Sequence, residues 1–309
     1  MHTPIKISAL TIYPVKSLAG IDVDEAILTR KGLALNCLPK GLPEDSLVGD
    51  RLVGDKLIGD RLWMVVLPNG RFVTQRQIPK MALIRTALDQ NKLSLSTKGY
   101  ESISIPFNHP LSVSRTVTVW KDPCEALDEG DEVSQWLTTV LDSQYPLHLV
   151  RMKPQFQRPQ SKPDLLGKQT STYFADAAPY LIANPASVDT LNQHLHVRKY
   201  PAVDMRRFRP NIVVNGLAAF DEHKVKRYDQ PDGVFAFESC YPSERCVMIT
   251  IDQDTGTKNP DMEPFKTLKI LNPMPTNPSA PAFADNTVLA KGEGQIIRVG
   301  DCLNAVKTN

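Results

Sequence analysis

Short runs that alternate apolar and polar residues, each stopped by a turn former, fill the first 120 positions, and this restricts that part of the chain to strands. Residues 5–13 (IKISALTIY) alternate in this way and are closed by Pro14, as expected where successive side chains point to opposite faces. Residues 23–29 and 62–67 read alike. The second run stops at Pro68-Asn69-Gly70 before Arg71-Phe72-Val73-Thr74, and Asn-Gly between two such runs predicts a hairpin. Residues 93–96, 103–105 and 113–120 continue the pattern. Many short strands joined by turns predict a barrel or closed sheet. Proline agrees, at 25 of 309 residues against a usual ~5%.

Helical periodicity enters only later. Val133, Trp136, Leu137, Val140 and Leu141 form one apolar face over residues 131–141, with Asp131 as the expected N-cap. A second helix is expected from Ser187, with Val188, Leu191 and Leu195 inward. Strands return at 211–214, 247–251 and 295–299, and residues 272–285, with four prolines, read as a surface loop. The expectation is a mixed, mainly β chain of two domains, 1–125 and 126–309, with a helical transition near 131–141. Residues 48–62 repeat a five-residue unit (VGDRL, VGDKL, IGDRL). That period is too short for a solenoid and reads as a local duplication that lengthens a loop or hairpin.

Charge and cysteine usage exclude several classes. Lys plus Arg is 36 and Asp plus Glu is 34, a net charge of +2, so neither nucleic acid nor an anionic membrane is an expected partner. The first ten residues do not read as a signal peptide. The longest clear apolar run, 62–67, falls far short of the ~20 residues that span a bilayer. Cys37, Cys124, Cys240, Cys246 and Cys302 are scattered and form no C-x-x-C pair, which argues against a disulfide framework or zinc knuckle and for a cytoplasmic protein with reduced thiols. No P-loop, G-x-G-x-x-G, H-E-x-x-H or G-x-S-x-G motif is present. His194 and His196 are spaced so that they cannot share a helix face.

Two constellations remain. Cys246 follows Arg245 at the head of an expected strand. There it is either a thiolate, the form that ligates soft metals, or a small buried hydrophobe, the commoner fate of a free cysteine. Cations also gather at strand ends: Lys16 beside Ser17, Arg61 in Asp60-Arg61-Leu62-Trp63, Arg76 in Thr74-Gln75-Arg76-Gln77, and Arg209 in Arg209-Pro210-Asn211. Guanidinium forks suit a phosphate. Taken singly each reads as a solvated surface charge, and only convergence on one cleft makes a site.

Together these strings resemble the MOSC superfamily, and within it the two-domain members that include the amidoxime-reducing components and their bacterial relatives. The strings run in the family's order: Y-P-V-K-S at 13–17, D-R-x-W at 60–63, T-x-R-Q at 74–77, R-P-N-I-V at 209–213, R-C-x-x-T-x-D-x-x-T-G at 245–256, and I-x-V-G-D at 297–301. The resemblance implies a β-barrel-like N-terminal domain, a β-rich MOSC domain and a molybdenum–molybdopterin cofactor between them. It implies Cys246 as the metal's thiolate ligand. Lys16, Ser17, Arg61, Arg209, Asn211 and Arg245 would be cofactor-binding residues, with Arg76 helping. Asp176 aligns with an acid near the metal in relatives and is either a proton relay or a surface carboxylate. No iron–sulfur cluster is expected in this chain and no pyridoxal phosphate, so electrons would come from a separate protein to reduce a small N-oxygenated substrate. Three departures stand out: Ala177 and Ala178 replace hydroxyl residues, Ser243 replaces a cysteine, and the 48–62 repeat precedes Arg61. Two other functions stay open: a sulfur carrier using a Cys246 persulfide, and a non-catalytic cofactor-binding module, towards which the Ala177-Ala178 departure points.

Overall fold

The computed structural model describes residues 2–37, 57–108, 110, 113–168 and 170–307. The first two units of the five-residue repeat, Leu57 apart, lie outside the described residues. In chain order the strands and α-helices are β1 (His2–Ile12), β2 (Ile21–Val23), β3 (Glu25–Thr29), β4 (Gly32–Asn36), β5 (Leu57–Gly59), β6 (Trp63–Val66), β7 (Arg85–Leu88), β8 (Lys92–Ser96), β9 (Ile103–Pro106), β10 (Ser114–Val119), β11 (Asp122–Asp128), α1 (Asp131–Val140), β12 (His148–Met152), α2 (Pro163–Leu166), β13 (Tyr180–Ala183), α3 (Pro185–Val197), β14 (Ile212–Asn215), β15 (Val225–Asp229), β16 (Ala236–Glu244), α4 (Phe265–Leu271), β17 (Pro273–Met274), β18 (Asn277–Lys291), β19 (Ile296–Arg298) and β20 (Cys302–Lys307). The chain is mainly β with a few helices. Among the described residues no helix is long and apolar enough to cross a membrane.

Seven strands close a barrel in the order β13-β14-β1-β20-β15-β16-β18, with β18 returning to β13. The pairing of β13 with β14 is parallel; its other neighbours run antiparallel. The alternation in β1 shows how the strand faces inward. Ile5 and Ile7 are buried at odd positions and Leu10 and Ile12 at even ones. A register shift between Ile7 and Ala9 against β14 makes the switch, because one extra residue flips the inward set. Ile5, Ile7 and Leu10 meet Tyr180, Ile182, Ile212, Tyr228, Phe237 and Leu303 in one apolar core.

Three smaller sheets surround the barrel: β10-β11-β12-β6, β19-β3-β4-β5 and β7-β8-β9. In β6 every residue is buried, which accounts for its continuous apolar sequence. Its Trp63 donates from Nε1 to Glu129 Oε1 at 2.5 Å and packs in a second core with Val117, Leu137 and Leu149. Val15, just past β1, bridges in parallel to Trp63 and so ties the barrel to this sheet. Chain order and spatial grouping therefore differ. The N-terminal strand β1 lies in the barrel, position 125 falls inside β11, and β12 pairs back onto β6 and β11.

Several local expectations are corrected. Asp131 is the first helical residue and Gly130 occupies the cap position, with no side-chain capping bond. Helix α3 starts two residues early because Asn184 Oδ1 accepts from Ala186 N at 3.1 Å, and the Ser187 hydroxyl serves Glu222 instead. Residues 247–251 form no strand. Val247–Thr250 is a 3-10 turn with Cys246 at its cap, and Ile249, Thr250 and Ile251 are buried consecutively rather than alternately. The proline-rich stretch 272–285 is no surface loop: it holds β17 and the first part of β18. Prolines fit there because Pro273 faces Pro281 in the ladder and the Pro281 carbonyl accepts from Arg245 N at 2.8 Å.

Candidate functional site

A cavity of about 340 Å³ opens beside the loop that follows β1, and the candidate residues that line it come from five separate segments. Lys16 and Ser17 come from that loop and Arg61 from the turn before β6. Asp176 precedes β13, Arg209 and Asn211 precede β14, and Arg245 and Cys246 follow β16. Eight of the nine residues singled out from the sequence thus line one cavity. Arg76 is absent from the lining but reaches the same corner, with Nη1 3.8 Å from Cys246 Sγ.

The inner wall is a cluster of cations, with Arg209 buried and Arg61 and Arg245 half-buried. Tyr13 stands between two guanidiniums, with Arg61 4.5 Å and Arg209 4.1 Å from its ring centre. Arg61 pairs with buried Asp60, which also accepts from Tyr13 N at 2.8 Å. Asn211 Oδ1 accepts from Arg61 Nη1 and from Leu181 N, each at 3.3 Å. Arg209 donates from Nη1 to Leu18 O at 2.7 Å, but its buried Nη2 has no partner. Burial pushes its pKa down to about 10. Arg245 donates to Ser243 Oγ and Phe208 O, while its buried Nε has none, and burial lowers its pKa too. Ser17, Arg61 and Arg209 all hold left-handed backbone conformations, with φ of 69°, 55° and 55°. Such strain in non-glycine residues gathers at functional sites.

The open edge is organised differently. Cys246 is exposed. Asp176 Oδ1 accepts from Lys16 Nζ at 2.6 Å and from Trp120 Nε1 at 2.9 Å. Packing around the carboxyl works against its charge, but the Lys16 ammonium, the Trp120 N–H and Arg76 outweigh it and hold its pKa at about 2. Burial lowers the Lys16 pKa, opposed by Asp176. Its Nζ also donates to Phe174 O at 2.8 Å. Among the described residues no three His, Cys, Asp or Glu side chains gather as a metal-binding group, so a metal at Cys246 would need ligands from outside the chain.

A family described as MOSC N-terminal beta barrel domain matches residues 48–144, and one described as MOSC domain matches residues 169–303. Mitochondrial amidoxime-reducing component 1 of Homo sapiens is 31% identical over 267 residues, covering 85% of this chain and 71% of its own. The chain belongs to the MOSC superfamily. Mitochondrial amidoxime reducing component 2 of Rattus norvegicus is similar at 31% over 269 residues, 85% of this chain and 71% of its own. Molybdenum cofactor sulfurase of Homo sapiens is 30% identical over 83% of this chain but only 28% of its own length.

Two of the three departures within this MOSC chain fall at the cavity. Ala177 and Ala178 line it, and Ser243 lines it while accepting from Arg245. Cys240 does not line it. Its half-buried thiol lies 3.6 Å from Glu238 O, and burial raises its pKa to about 11. Tyr13, Asp60, Trp120 and Tyr241 also shape the site, although the sequence assigns them no role. Asp60 precedes Arg61 and Tyr13 opens the string that holds Lys16, and that proximity was a usable signal. Trp120 and Tyr241 lie far from their partners in sequence and carried none.

Proposed function

We propose that this MOSC chain holds a molybdenum–molybdopterin cofactor and reduces N-hydroxylated or related N-oxygenated compounds with electrons from a separate donor protein. The observation that carries this reading is the pairing of an exposed thiol with buried, partnerless guanidinium nitrogens on one small cavity. A buried donor without a partner costs ~1–3 kcal/mol, and a phosphate accepts from several donors at once. The residues present therefore fit the group. Arg61, Arg209, Arg245 and Lys16 would surround its anionic end, Ser17 and Asn211 would meet its polar edges, and Cys246 would ligate the metal. When bound, the group supplies two-electron chemistry that takes oxygen from nitrogen.

The chain's own residues set the proton inventory at the open edge. With its pKa held at about 2, Asp176 is a carboxylate at neutral pH and takes a proton rather than giving one. The proton of the pair resides on Lys16 Nζ, 2.6 Å away. All five cysteines are free, which supports a reducing compartment such as the cytoplasm.

The test is molybdenum analysis of protein produced with the metal, followed by benzamidoxime reduction with an artificial electron donor. Near-stoichiometric metal and turnover are expected, with both lost in Cys246→Ser. Loaded protein that turns over no N-oxygenated compound would sink the reductase reading. An added sulfur atom on Cys246, with no metal, would favour the sulfur carrier.

A further inference from the structure

Trp120 occupies a position that ordinary hairpin stability does not explain. Val119 and Asp122 close the β10–β11 ladder, leaving Trp120 and Lys121 as a two-residue loop. Trp120 is the first loop residue and has φ of 56°. Such positions favour glycine, asparagine or aspartate, and a bulky side chain there is strained. The side chain is also 54% exposed, so core burial does not offset the strain.

Its contacts converge on the open edge of the cavity. The indole Nε1 donates to Asp176 Oδ1 at 2.9 Å. The Arg76 guanidinium lies 4.7 Å from the indole ring centre, and the same guanidinium reaches Cys246 Sγ at 3.8 Å. Phe72 supports the indole edge-on at 5.4 Å. Asp176 in turn holds Lys16.

We propose that Trp120 is a positioning residue, its indole fixing Asp176 through the N–H and Arg76 through the ring face on the Cys246 side of the cavity. This rests on the reductase reading for its kinetic consequence, but its structural consequence stands alone. The charged groups bearing on Asp176 are Lys16, Arg76, Arg209 and Arg245. None of these is removed by changing Trp120, and Trp120→Phe keeps a ring under Arg76, so a change at Asp176 in that variant reports the indole N–H.

The test compares Trp120→Phe and Trp120→Gly with the parent. Melting temperature and the Asp176 carboxyl-carbon titration are followed by NMR on cofactor-free protein, and kcat and KM on loaded protein. Trp120→Gly relieves the backbone and is expected to melt at or above the parent temperature. In both variants the Asp176 midpoint should move up by roughly half a unit or more as the N–H is lost. With metal content unchanged, kcat/KM should fall about tenfold in Trp120→Gly and less in Trp120→Phe, which keeps a ring under Arg76. A lower melting temperature in Trp120→Gly with an unmoved Asp176 midpoint would make Trp120 a folding residue and overturn the proposal. Variants as active as an active parent would overturn it as well. A loaded parent with no turnover would instead count against the reductase reading, and the titration would still decide the role of Trp120.

Discussion

The inner wall and the open edge of the cavity handle charge in opposite ways. On the inner wall Arg209 is buried and Arg245 half-buried, and each keeps a buried nitrogen without a partner. On the open edge Asp176 is exposed and already engaged, with Lys16 and Trp120 both donating to one of its oxygens. The inner wall is therefore less stable alone than it would be with an anion in place. The open edge satisfies itself before anything arrives. This difference suits a resident group inside and transient visitors outside, and it can be broken by experiment.

The largest expected effect lies on the inner wall. Arg209→Met removes a buried cation with one partnerless nitrogen, so bound molybdenum should fall more than tenfold while the cofactor-free protein becomes more stable by about 1–2 kcal/mol. Metal analysis and thermal unfolding of the same preparation check both halves. If cofactor-free Arg209→Met loses stability, the guanidinium is structural and the contrast disappears. A linked expectation concerns inorganic phosphate or pyrophosphate added to the cofactor-free parent. An anion binding only the folded state stabilises it by about 2.7 kcal/mol at a hundredfold excess over its Kd. The rise in Tm should vanish in Arg209→Met.

The open edge should respond less, and with pH. The Asp176 pKa falls from 3.8 to about 2 on folding. A depressed acid pKa contributes stability that is complete above the unfolded value and lost as pH falls through the folded one. The window is thus about pH 4 down to 2. With the side chain 55% exposed, solvent screening reduces the contribution to about 1 kcal/mol. Asp176→Asn should cost about 1–2 kcal/mol at neutral pH, because buried Lys16 then keeps only the Phe174 carbonyl and the amide. It should also flatten the acid limb of the stability profile. An Asp176→Asn protein with an unchanged acid limb would show that the pair does not form in solution.

The sequence made the mainly β architecture legible because alternation and turn residues are local properties. The β1 pattern even carried its own bulge, since the buried set switches parity between Ile7 and Leu10. The convergence of Lys16, Ser17, Arg61, Arg209, Asn211, Arg245, Cys246 and Asp176 on one cavity was legible only through the order of motifs, not through any spacing. What escaped was non-local. Residues 247–251 alternate in sequence yet form a 3-10 turn, because the Thr250 hydroxyl bonds back to Val247 O at 2.7 Å and consecutive side chains face inward. Residues 277–285 look like a loop because prolines break ladders, but the irregular pairing with β17 accommodates Pro281 opposite Pro273. Trp120 gave no sign of its role because Asp176 and Arg76, its partners, lie 56 and 44 positions away.

The smallest expected effect separates strain from chemistry at Ser17. Its φ of 69° lies in the region glycine adopts freely, and its carbonyl accepts from buried Gln75 Nε2 at 2.8 Å, so the backbone is held from outside. Ser17→Gly should relieve that strain and leave stability unchanged or higher by up to about 1 kcal/mol. Ser17→Ala keeps the strain and removes only the hydroxyl that borders the cavity. If the hydroxyl serves the resident anion, both variants should lose the same severalfold in metal retention despite different melting temperatures. If Ser17 matters only for the turn, retention should instead track stability and Ser17→Gly should hold the metal as well as the parent. That result would move Ser17 from the inner wall's binding set to its scaffold, leaving Arg61, Arg209, Arg245 and Asn211 as the groups that grip.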